Sequence, residues 1–123
     1  MEKKMYEKIA GVFYAIGMAD DQFVRKEKLT VIELIENHWQ DQGIDVESIM
    51  HQQLKKLVDS GISSAEALNE FESFYQENPA FFTKEIRLQL YKDAQEIALA
   101  YAGRNKSETI ILSQLKHILQ KDD

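Results

Sequence analysis

With 123 residues, 44% hydrophobic and 29% charged, the chain can bury roughly two-thirds of its unfolded surface in one core and has no second core-sized segment. It contains no cysteine, which excludes disulfides, thiol nucleophiles and thiolate metal sites and fits a reducing cytoplasm. A net charge of −6, with the lysines interspersed among acids, speaks against nucleic acid, whose phosphates need a basic face, and suits cations or a basic protein surface better.

Lys3 and Lys4 precede an apolar run from Ile9 to Ala19 that closes on Gly17-Met18-Ala19, the outline of a secretory signal. Tyr6, Glu7 and Lys8 interrupt that outline, and the apolar positions keep helical spacing, so the segment reads as the first helix of a cytoplasmic protein. Met5, Ile9, Val12, Phe13 and Ile16 form one face of this helix, expected from about Lys3 to Ala19. Gly11 and Gly17 each cost about 1 kcal/mol of helix propensity, which close approach of a neighbouring helix would offset. No stretch reaches the ~20 apolar residues that span a bilayer.

A second helix is expected from about Arg25 to Gln40, with Leu29, Ile32, Ile35 and Trp39 as its stripe, widened by Val31, Leu34 and His38. So broad an apolar arc predicts that this helix lies at the centre of the bundle. Gly43 marks a turn, and Asp45 is a good N-cap for a third helix that carries Val46, Ile49, Met50, Leu54, Leu57 and Val58 inward. Gly61 stops that helix as a left-handed terminal residue.

Ser63 and Glu66 form the S-x-x-E capping box of a fourth helix, whose buried side is Leu68, Phe71, Phe74 and Tyr75 and which Asn78-Pro79 ends. A fifth helix is expected from about Thr83 to Ala102, with Ile86, Leu90, Ala94, Ile97 and Tyr101 inward. Ser107 is read as the cap of a last helix carrying Ile111, Leu115, Ile118 and Leu119. No segment alternates as a strand would, so the expectation is all-α: one bundle of about six to seven helices over residues 1–123.

Two stretches share a grammar. Tyr14-Ala15 and Met18-Ala19 lead through Asp20-Asp21 to Glu27 and an apolar helix, while Ala98, Ala100, Tyr101 and Ala102 lead through Gly103 to Glu108 and another. A helix ending in alanines, a polar turn and a glutamate early in the next helix describe two loosely repeated helix-turn-helix units.

The first of these, Ala15-Ile16-Gly17-Met18-Ala19-Asp20-Asp21-Gln22-Phe23-Val24-Arg25-Lys26-Glu27, resembles the A-x-A-D-G-x-[VI]-[ST]-x-x-E signature of TerB-like proteins, the tellurite-resistance family related to the N-terminal domain of DjlA. Asp21 stands where that family has glycine, and Val24 where it has a capping Ser or Thr. The resemblance implies a single helical domain of two similar halves and an acidic cluster that holds a divalent cation. It also implies a non-enzymatic role in a stress-response or membrane-associated assembly. On this sequence the cluster would be Asp20, Asp21 and Glu27, with Glu108 from the second unit, and the ion Ca²⁺ or another divalent cation. The implied partners are proteins, a second copy of the chain among them.

The residues leave two readings of those acids open. Ca²⁺ takes six to eight oxygens, and adjacent aspartates with a glutamate one turn into the next helix supply several. Carboxylates at a helix start also satisfy its free N–H groups and complement its dipole, at about 0.3–1 kcal/mol each.

Of the histidines, His38, His51 and His117, none belongs to an H-E-x-x-H or a paired E-x-x-H pattern. Glu47 and His51, four residues apart, make half of a metal site or a surface pair. Phe71, Phe74, Tyr75, Phe81 and Phe82 line either a ligand pocket, as a carrier or an enzyme would have, or plain core. With no serine–histidine–acid constellation and no phosphate loop, the expected role is binding rather than catalysis.

Overall fold

The helical spacing of apolar residues along the chain becomes six α-helices in a computed structural model that describes residues 2–19, 25–41, 43–100 and 106–120. They are α1 (Glu2–Gly17), α2 (Arg25–His38), α3 (Val46–Ser60), α4 (Ser64–Glu77), α5 (Lys84–Leu99) and α6 (Lys106–Gln120), with a short 3-10 turn, Pro79–Phe81, between α4 and α5. The described residues contain no strand; the one β-bridge pairs Asp41 with Ile44 across the turn at Gly43.

The local signals act where they stand. Asp45 accepts from the Ser48 backbone N–H at 3.1 Å, and Gly61, at φ 68°, returns its own N–H to Leu57 and Val58 as α3 ends. Ser63 accepts from the Glu66 N–H at 3.1 Å, and Thr83 caps α5 through the Ile86 N–H at 3.2 Å. The Asn78 backbone N–H and its side-chain amide both donate to the Phe74 carbonyl as α4 closes, and Pro79 then opens the 3-10 turn. Ser107 lies inside α6, which starts at Lys106, so it is not the cap expected for that helix.

The central helix is α1, not α2. It packs against all five other helices. From Ile9 to Gly17 every residue is buried, among them Ile9, Phe13 and Ile16, each contributing about 1.5–3 kcal/mol by leaving water. Small residues explain the position. Ala10 and Ala15 interrupt the large side chains, so neighbours close on several sides of α1. A β-carbon placed on Gly11 would lie 4.0 Å from the Ala67 carbonyl oxygen of α4, an ordinary contact, so the close helix approach expected at this glycine is not made.

By contrast α2 is peripheral. Its buried apolar residues are Val31, Leu34 and Ile35, followed by Trp39 just past its end, while Leu29 and Ile32 of the expected stripe stand 48% and 37% exposed. The arc of apolar residues on α2 is wider than the contact made, and Glu33, Glu36 and Lys28 share the side left in water. Val58 on α3 is likewise exposed rather than buried.

All six helices feed one buried hydrophobic cluster. Within it Phe82 meets Phe71, Phe74 and Tyr75 with ring centroids 5.0–6.1 Å apart, and Phe71 stacks on Tyr75 at 5.8 Å. This aromatic set fills itself and is core. Helix α1 packs against α5, and α6 packs against both; the two bends of the repeated grammar, 20–24 and 101–105, lie outside the described residues.

Candidate functional site

Four acids carry the sequence expectation. Asp20 and Asp21 lie outside the described residues. Glu27 falls in the first turn of α2 and Glu108 in the first turn of α6. Both are drawn inside the protein, 2% and 1% exposed, and both interact with other groups of the chain. Burial is a stronger demand than capping makes, because a cap is satisfied at the surface, whereas a carboxylate taken from water needs charge or donors around it.

A third buried acid was not legible as a functional residue. Asp93 of α5 is fully buried. One of its carboxylate oxygens, Oδ2, accepts from Trp39 Nε1 at 2.8 Å. The other, Oδ1, accepts from Gln89 Nε2 at 2.8 Å and lies 3.0 Å from His38 Nδ1. Gln89 Nε2 also lies 3.1 Å from His38 Nδ1, so this ring nitrogen faces both a carboxylate acceptor and an amide donor. The sequence signal was present: Asp93 sits three residues after Leu90 and four before Ile97, a charge on the buried stripe of α5.

This network forms the wall of a surface cavity of about 450 Å³ lined by Tyr6, His38, Trp39, Asp41, Glu85 and Gln89 among others. Across it the Tyr6 hydroxyl donates to Asp41 Oδ2 at 3.0 Å. Burial, and then the hydrogen bond and negative charge of Asp41, push the Tyr6 phenol up to about 12. A histidine braced by a carboxylate is the base of a nucleophilic triad, but no serine, threonine or cysteine lines this cavity. The arrangement ties α2 to α5 through His38, Trp39, Gln89 and Asp93.

One further cluster brings metal-ligating atoms together. Glu36, on α2, meets Glu47 and His51, one turn apart on α3, with one ligand atom from each within 4.8 Å of the others. The half-site read from Glu47 and His51 thus gains a third donor from another helix. Among the described residues this is the one such group of three, and neither Glu27 nor Glu108 belongs to it.

Comparison with protein-family models, curated proteins and solved structures found no match to this chain. No helix among the described residues is long and apolar enough to cross a membrane.

Proposed function

We propose that this chain is a non-enzymatic helical binding module of the TerB-like kind, a cytoplasmic adaptor whose protein contacts in a stress-response assembly depend on a divalent cation. The observation that carries this reading is the burial of Glu27 and Glu108, 2% and 1% exposed, in the first turns of α2 and α6. Removing two carboxylates from water costs several kcal/mol each; both already interact with other groups of the chain, and a hard cation sharing their oxygens is the further charge that this reading adds. The signature resemblance adds Asp20 and Asp21 as further oxygen donors and Ca²⁺ or another divalent cation as the ion.

Calorimetric titration of Ca²⁺ or Mg²⁺ into chelator-treated protein tests the reading. Saturable heat and a raised melting temperature are expected, and Glu27→Gln and Asp20→Asn should abolish both. No heat and no stabilisation at millimolar cation would end it.

A second reading, protein docking without an ion, is favoured by an apolar groove of about 250 Å³ between α2 and α3, lined by Val31, Ile32, Leu54 and Val58 and flanked by Lys28 and Lys55. Sedimentation across a concentration range distinguishes it. A second copy of the chain in this groove would give a dimer that Val58→Glu dissociates and that chelators leave intact.

A further inference from the structure

We propose that Glu36, Glu47 and His51 form a transition-metal site, with Zn²⁺ the expected ion, that staples α2 to α3. The site is independent of the cation reading at Glu27 and Glu108 and differs from it in chemistry.

Three observations carry the assignment. First, the donors converge: one ligand atom from each side chain lies within 4.8 Å of the other two, close enough for small side-chain rotations to place all three on one ion. Second, they come from separate elements. Glu47 and His51 face the same way because four residues are about one helical turn, and Glu36 reaches them from the last turn of α2. Third, the described residues offer these three side chains no other polar partner. Among the described residues no lysine or arginine pairs with Glu36 or Glu47, and no hydrogen bond engages either carboxylate or the His51 ring. Two carboxylates held together without a counter-charge repel each other, and a cation between them reverses the sign.

The donor set selects the metal. Ca²⁺ and Mg²⁺ take oxygen ligands, whereas a neutral imidazole favours Zn²⁺ and its neighbours in the first transition row. Two carboxylates and one imidazole give Zn²⁺ three protein ligands and leave a tetrahedral ion's fourth position for water. Glu36 is exposed, while Glu47 and His51 are half-buried, so the ion can enter from solvent without the core opening.

The test uses the whole chain after chelator treatment. Zn²⁺ is titrated calorimetrically, and Co²⁺ serves as a spectroscopic stand-in whose visible absorption reports coordination number and nitrogen ligation. Saturable binding of one ion per chain, a raised melting temperature and a Co²⁺ spectrum of low coordination number are expected. His51→Gln and Glu36→Gln should each weaken Zn²⁺ by about tenfold or more, the scale on which even supporting groups tune metal sites. Glu27→Gln should leave Zn²⁺ binding unchanged, and excess Ca²⁺ should not displace the Co²⁺ signal. Because Glu36 is exposed, its variant folds, and circular dichroism verifies this for each protein. Absence of Zn²⁺ binding, or binding that His51→Gln and Glu36→Gln leave intact, would overturn the proposal. Ca²⁺ binding lost in Glu27→Gln with Zn²⁺ binding retained would separate the two sites.

Discussion

Trp39 donates its indole N–H to Asp93 at 2.8 Å inside the core, joining the end of α2 to the middle of α5 across 54 residues of sequence. This bond fixes where the peripheral helix sits. It offsets the cost of burying Asp93, and it spends the one polar atom of a 4% exposed tryptophan on the one core acid beside it.

Replacing Trp39 by phenylalanine therefore leaves Asp93 Oδ2 without its donor. A lost hydrogen bond to a charged group costs about 1.5–3 kcal/mol, and the smaller ring adds a packing loss. Asp93→Ala strands the Trp39 and Gln89 donors in turn, so the double variant should cost less than the sum of the two single ones. Urea unfolding followed by circular dichroism measures all three, since Trp39 is the only tryptophan and its fluorescence vanishes with it. A loss under about 0.5 kcal/mol, the range of plain surface changes, would contradict the assignment.

The Tyr6 phenol supplies a pH prediction. Its pKa is pushed up to about 12, above the ordinary value of 10.0, by burial first and by the Asp41 carboxylate second. Below pH 10 both folded and unfolded chains keep the proton, so the contribution is intact. From pH 10.0 toward about 12 the unfolded chain ionises first, and folding stability falls with rising pH. In Asp41→Asn the burial remains and the charge goes, so the Tyr6 transition should move part of the way back toward pH 10. The difference between ultraviolet titrations of the protein and of its Tyr6→Phe variant isolates this transition from that of Tyr14, which burial also raises.

Two glycines should respond to alanine with opposite signs. At Gly11, helical and with 4.0 Å of clearance to the Ala67 carbonyl oxygen, a methyl group fits, and alanine should stabilise by about 0.5–1 kcal/mol.

At Gly61 the backbone φ of 68° favours glycine, and alanine there should destabilise by about 1–2 kcal/mol although no atom stands in its way. Thermal melts of both variants read the contrast, and equal signs would mean that one of these two backbone environments is wrong.

The helices were legible because each apolar stripe recurs at its own period, and the caps were legible because Asp45, Gly61 and Ser63 act within four residues of themselves. The burial of Glu27 and Glu108 was not legible, because their helix-start positions suited a solvated cap as well as an ion ligand. The rotation of α2 was not legible. Periodicity shows that a helix has an apolar face but not how much of a broad face its neighbours cover, and here Leu29 and Ile32 remain exposed while Val31, Leu34 and Ile35 are buried. Nor was the identity of the central helix, which small residues on α1 decide by letting several helices approach it. Asp93 could be seen as a charge on a buried stripe, but its partners Trp39 and His38 lie 54 and 55 residues away. Glu36 joins Glu47 and His51 only because α2 and α3 pack side by side. Local order follows from short-range sterics and hydrogen bonding written along the chain. Meetings between distant side chains depend on the packing angles and rotations of whole helices, and those emerge only when every face competes for the same interior.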